Sequence, residues 1–198
     1  MGTRKRDIST LGDGNCENDD SLIDSYRLFT LLRQTADSVY KAREAELKKY
    51  HLSPEQAAAL VCIQSLDNQA TPAELSRWLF RKRNSITILL KRMEKLGLIN
   101  KRVNKNRKNS VKIGLTEKGY EAYKNSIKFQ AFYNIIDVLP DKKQKQLCSL
   151  LQAVRLKVFK ELRLDVDAHS GIFNRPLALS PETSDSNRAA LGHPSHHA

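Results

Sequence analysis

A chain of 198 residues, 40 per cent hydrophobic and 28 per cent charged, suits one soluble globular domain with appendages, and no apolar run approaches the roughly 20 residues a bilayer-spanning helix needs. Its 34 basic residues against 22 acidic ones leave a net charge of +12, which favours a polyanionic partner. Three scattered cysteines exclude a disulfide framework or zinc site, and no apolar segment follows the basic start "MGTRKRDIST", so a cytoplasmic protein without metal or cofactor is expected.

Residues 1–20 mix Gly, Asn, Asp and Thr without periodicity and are expected to form a disordered tail. Ser21 offers a cap for a helix running to about Lys49, with Leu22, Tyr26, Phe29, Leu32, Ala36, Val39 and Tyr40 along one stripe. At 1.5 Å per residue that helix is about 40 Å long, more than a small domain covers by itself, so it needs a partner. "SPEQ" at Ser53–Gln56 and "TPAE" at Thr71–Glu74 each combine a cap, a Pro at the first helical position and a reciprocating Gln or Glu. They open a helix burying Ala57, Leu60, Val61, Ile63 and Leu66, then a short one with Leu75, Trp78 and Leu79. A further helix from Lys82 or Arg83 buries Ile86, Leu89, Leu90, Met93 and Leu96, and Gly97 ends it in the left-handed conformation.

Beyond Gly97 the apolar period falls from 3.6 to 2. Val103 on one side and Val111, Ile113 and Leu115 on the other read as two strands around the tip "NKNRKN". Thr116 caps one helix through Tyr120, Tyr123, Ile127, Ala131, Ile135 and Val138 to Leu139, where Pro140 interrupts. The last helix, from about Asp141 to Arg163, carries Leu147, Leu150, Leu151, Val154, Val158 and Leu162. Residues 164–198 lack any period and are expected to form a second disordered tail.

The charge is concentrated, since Arg81 to Lys112 holds twelve Lys or Arg and one acid, Glu94. A short capped helix, a tight turn and a second helix make a helix-turn-helix, whose second helix fits the major groove of DNA, and the basic hairpin behind it becomes a wing. Arg83, Asn84, Ser85, Thr87, Ile88 and Lys91 lie off the buried stripe, where they can meet base edges or phosphates. Lys105, Arg107 and Lys108 at the tip are placed for phosphates or a minor groove.

The ordered set "LSPEQAAALVCIQSL", "TPAELSRWL", "NSITILLKRMEKLGLI" and "LTEKG", flanked by long helices, resembles the MarR family of winged-helix regulators over Leu22 to about Arg163. The resemblance implies a mainly α fold: a winged helix-turn-helix at residues 52–116 with a two-stranded wing, flanked by long dimerisation helices within 21–163. It implies a homodimer on a palindromic operator, with Tyr26, Phe29, Leu147, Leu151, Val154 and Val158 at the self-association face. Five positions depart from the family pattern. Arg107 and Asn109 replace the Asp-x-Arg of the wing tip, Ile88 stands where an Arg is frequent, Phe80 where the turn commonly has Gly, and Lys82 where a Ser would cap the helix.

The leading expectation is a dimeric, sequence-specific regulator of transcription, a repressor relieved by a small ligand. The alternative is a winged-helix protein-interaction module with non-specific nucleic-acid affinity. No Gly-rich phosphate loop, nucleophile elbow or carboxylate and His set supports an enzyme. Cys62 and Cys148 lie on or beside apolar stripes and are expected to be buried. Peroxide-sensing members of the family carry a Cys early in the first helix, where this chain reads "SYRLFTLL". "HPSHH" at His193–His197 reads as polar tail.

Overall fold

The computed structural model describes residues 16–103 and 111–164, with side chains from residue 22 onward. Seven helices and two strands order them: α1 (Cys16–Lys48), α2 (Pro54–Ser65), α3 (Pro72–Trp78), α4 (Arg83–Lys95), β1 (Ile99–Val103), β2 (Val111–Leu115), α5 (Glu117–Ser126), α6 (Gln130–Ile136) and α7 (Asp141–Glu161). The architecture is mainly α with a two-stranded antiparallel sheet, as the sequence implies. Helix α1 begins at Cys16, so Ser21 lies inside it and is not its cap, and the expected tail is helical from residue 16. Residues 1–15 and 165–198 lie outside the described residues.

Two compact units divide the chain, one through Tyr40 and the other from Lys41. In the first, Leu22, Ile23, Tyr26, Leu28, Phe29, Leu31 and Leu32 are all exposed, so this stretch of helix carries far more apolar surface than a solvated helix needs.

The second unit has the core. Leu47 and Leu52 pack with Leu60 and Ile63 of α2, Leu75 of α3, Ile86, Leu90 and Met93 of α4, Ile99 and Ile113 of the strands, and Tyr123 and Ile127 of α5. Both capping boxes form. The Ser53 and Gln56 pair exchanges bonds of 2.8 and 3.2 Å, and the Thr71 and Glu74 pair does the same. Each box satisfies backbone donors that a bare helix start leaves open, which is worth about 1 kcal/mol.

The ends of α3 and α4 share one device. After α4 the Leu98 amide donates to the Met93 carbonyl and the Gly97 amide to that of Glu94, with Gly97 at φ +71°. After α3 the Arg81 amide donates to Ser76 and the Phe80 amide to Arg77, the same pair of bonds, but the left-handed residue is Phe80 at φ +54°. A side chain there costs about 1–2 kcal/mol.

The strands pair from Ile99 opposite Leu115 to Val103 opposite Val111. Ile113 is buried and its amide reaches the Ala70 carbonyl at 2.8 Å, which ties the wing to the loop between α2 and α3. Val103 of the first strand is exposed, and Leu96, expected to be buried, is exposed too, because the core ends at Met93 and Ile99. Gly119 of "LTEKG" is required by proximity, since a Cβ there would stand 1.8 Å from the Leu98 carbonyl oxygen.

The long helix expected from Thr116 to Leu139 is instead two, α5 and α6, broken at Phe129 with φ +48°. The partners for the broken ends come from the end of α1. Arg43 donates to the Ser126 carbonyl, and its guanidinium lies 4.1 Å from the Phe129 ring centre. Glu46 accepts from the Gln130 amide at 2.7 Å, and Arg43 and Glu46 pair at 2.7 Å with side chains 13% and 4% exposed. A periodic pattern cannot reveal a break whose cause lies 84 residues away.

Helix α7 leaves most of its apolar stripe in solvent. Leu150, Leu151, Val154, Val158 and Leu162 are exposed, while Phe159, off the expected stripe, is buried. Its ring stacks on Phe80 at 5.6 Å with planes 9° apart, and the Arg155 guanidinium sits 4.8 Å from the Phe159 ring centre. The turn between α3 and α4 is thereby tied to the last helix. Burial lowers the pKa of Arg155 from its ordinary value.

Candidate nucleic-acid interface

Helix α4 separates its faces cleanly. Ile86, Leu90 and Met93 are buried, and Arg83, Asn84, Ser85, Thr87, Ile88, Lys91, Arg92 and Lys95 are exposed. The five recognition-helix residues expected from the sequence, Arg83, Asn84, Ser85, Thr87 and Lys91, therefore share a solvent surface on one helix. Thr87 differs from the others, because its hydroxyl donates to the Arg83 carbonyl at 3.0 Å, which leaves it chiefly an acceptor and a methyl for any ligand.

The α4 N-terminus, like those of α6 and α7, carries no side-chain cap. Ser53, Thr71 and Thr116 cap α2, α3 and α5 with side-chain oxygens, whereas α4 follows Lys82 and has no side-chain cap bond. The first amides of α4 thus keep free donors at the positive end of the helix dipole, beside Lys82 and Arg83. An anion is favoured there and a cation is not.

Among the described residues, most of the cationic strip is uncommitted. Arg81 meets Glu55 at 3.6 Å, Lys101 pairs with Glu94, and Lys112 donates to the Gln69 carbonyl at 2.9 Å. Lys82, Arg83, Lys91, Arg92, Lys95 and Arg102 have no ion-pair partner among the described residues and are exposed. Arg92, Lys95 and Arg102 were not singled out from the sequence, although the basic count from Arg81 to Lys112 includes them. The wing-tip candidates Lys105, Arg107 and Lys108 lie outside the described residues.

The candidates for self-association are mostly exposed. Tyr26 and Phe29 face solvent in the first unit, and Leu151, Val154 and Val158 do in the second, with Leu147 half-buried. Cys62 is buried as expected, and burial, then the charge of Glu74, pushes its thiol pKa far up. Cys148, expected to be buried, is exposed among the described residues. Among the described residues no His, Cys, Asp and Glu group could hold a metal ion, and no helix is long and apolar enough to cross a membrane.

No protein-family model matches the chain, and no curated protein matches it. Solved structures do. The organohalide-sensing transcriptional regulator RdhR, in its ligand-free form and bound to 2,4-dichlorophenol, is 26% identical to this chain; the match covers 76% of this chain and 89% of RdhR with a TM-score of 0.63. A mutant MarR from E. coli complexed with operator DNA is 19% identical, with 66% of this chain and 95% of that chain covered and a TM-score of 0.60. The S. aureus MepR–DNA complex is 19% identical over 65% of this chain and 96% of that chain, with a TM-score of 0.59. At 19% the likeness is one of fold.

Proposed function

This chain is a winged-helix protein of the MarR-family fold, and on that premise we propose that it is a dimeric transcriptional regulator that reads a palindromic DNA operator through α4. The observation that carries the reading is the outward face of α4, where unpaired cations surround exposed Asn84 and Ser85 and the helix start lacks a side-chain cap. Cations and open amides hold phosphates, while an amide and a hydroxyl on the same face discriminate base edges. Lys105, Arg107 and Lys108 at the wing tip belong to the same interface in this reading and reach the flanking backbone. The MarR and MepR neighbours were crystallised with DNA, which supports the assignment.

A second copy of the chain covers the exposed apolar faces of α1 and α7. Tyr26 and Phe29 on one and Leu151, Val154 and Val158 on the other lose solvent when it does. Two-fold symmetry then sets the half-sites about 34–36 Å apart, one helical turn of DNA. The regulator is a repressor that occludes a promoter, and a small ligand relieves it by stabilising a spacing of the two reading helices that no longer matches the operator. The dichlorophenol-bound RdhR supports a small effector.

Selection of bound sequences from a random duplex pool, followed by footprinting, tests the proposal. An inverted repeat with two protected half-sites is expected, together with a solution mass of twice 22.5 kDa. If 6–10 phosphates are contacted, affinity falls by about 10³–10⁵ between 50 and 200 mM salt. Uniform binding to any duplex by a single chain would refute it and favour a protein-interaction module.

A further inference from the structure

We infer that Ile88 reads the 5-methyl group of a thymine in each half-site, and this rests on the DNA-reading role proposed for α4. Ile88 is 60% exposed near the middle of a helix whose core is made by Ile86, Leu90 and Met93. One turn away on either side stand Asn84, Ser85, Lys91 and Arg92, all exposed and polar. Ile88 is therefore neither part of the core nor of an apolar patch wide enough to dock a protein.

Its chemistry narrows what it can meet. A branched hydrocarbon offers neither donor nor acceptor, so against a polar base edge it removes water and returns nothing. Of the groups the four bases present in the major groove, only the thymine methyl is apolar. Lying among residues that can hydrogen-bond, Ile88 makes the α4 surface selective for a methyl at one step. The hydroxyl of its neighbour Thr87 is committed to the Arg83 carbonyl, so that neighbour also leaves a methyl for the groove.

The spacing makes the inference specific. Asn84, suited to the N6 and N7 edge of adenine, lies four residues before Ile88, an axial offset of about 6 Å on a helix. With base steps of about 3.4 Å, the thymine met by Ile88 lies about two base pairs from the base met by Asn84 when α4 runs along the groove.

The test uses the full chain and the sequence it selects from a random duplex pool. Each thymine of one half-site is replaced singly by deoxyuridine, which removes the methyl and keeps the base pair, and affinity is followed by fluorescence anisotropy at fixed salt. One position is expected to lose about fourfold in affinity, the worth of one buried methyl, and about the square of that when both half-sites are altered. Ile88→Ala, on an exposed surface, should bind the parent site more weakly and no longer distinguish thymine from deoxyuridine there. Wild-type protein indifferent to every replacement, or Ile88→Ala retaining the same discrimination, overturns the inference while leaving the regulator intact. Failure of the pool to yield any preferred sequence overturns both.

Discussion

Replacing Phe80 exposes how much strain the turn between α3 and α4 tolerates. The residue sits at φ +54° in the same paired-bond arrangement that Gly97 closes after α4, so its Cβ costs about 1–2 kcal/mol. Against this stands the ring. About half of Phe80 is withdrawn from solvent, worth about 1 kcal/mol, and its stack on Phe159 adds about 0.5–1.5 kcal/mol. Phe80→Ala keeps the strain and loses the ring, so it should cost about 1.5–2.5 kcal/mol. Phe80→Gly loses the same ring, recovers the strain and returns about 0.5–1 kcal/mol of it through the freer unfolded chain. Glycine should therefore be the more stable of the two by about 0.5–1 kcal/mol, which reverses the order found inside helices. Urea unfolding at one fixed protein concentration measures the difference as a midpoint shift of about 0.3–0.5 M. Equal midpoints, or alanine above glycine, would refute the reasoning.

Three further outcomes follow. Arg43→Ala strands the Glu46 carboxylate in a buried setting and should cost about 3 kcal/mol or more by urea unfolding, whereas breaking the exposed Lys157 and Glu161 pair should leave the midpoint unmoved. Asn84→Ala or Ser85→Ala should change site preference in a selected pool by about 1–3 kcal/mol at one base, while Arg107→Ala should weaken all sequences alike and lower the salt slope by about 1; equal losses on specific and random DNA for the first pair would sink their base-reading role. Alkylation is governed by the thiolate, and burial holds the Cys62 thiol protonated through neutral pH. Iodoacetamide at pH 8 should thus label Cys148 in the folded monomeric unit or dissociated protein and spare Cys62 until unfolding, as read by peptide mass mapping.

Local chemistry explains which parts of this fold are legible in the sequence. The boxes at Ser53 and Thr71, the left-handed Gly97 and the period change into the strands are each written within a few residues, and each appears where expected. The recognition-helix candidates follow because they are the complement of the buried stripe Ile86, Leu90 and Met93. What is not legible depends on distant partners. The break at Phe129 needs Arg43 and Glu46, and the burial of Phe159 needs Phe80, neither of which a window of neighbouring residues contains. The apolar stripe on α7 is legible too, but periodicity reports that a face is apolar without saying what covers it, and Leu150, Leu151, Val154, Val158 and Leu162 are exposed in the single chain.

The stretch from Tyr120 to Val138 is bent at the break between α5 and α6, although a continuous rod would keep its apolar period. Its own rhythm permits the rod; a cation and a carboxylate from far upstream select the bend. The direction in which the chain runs on from α5 into α6 is thus held by two side chains of α1, Arg43 and Glu46, and altering them should redirect α6 without touching the outward face of α4.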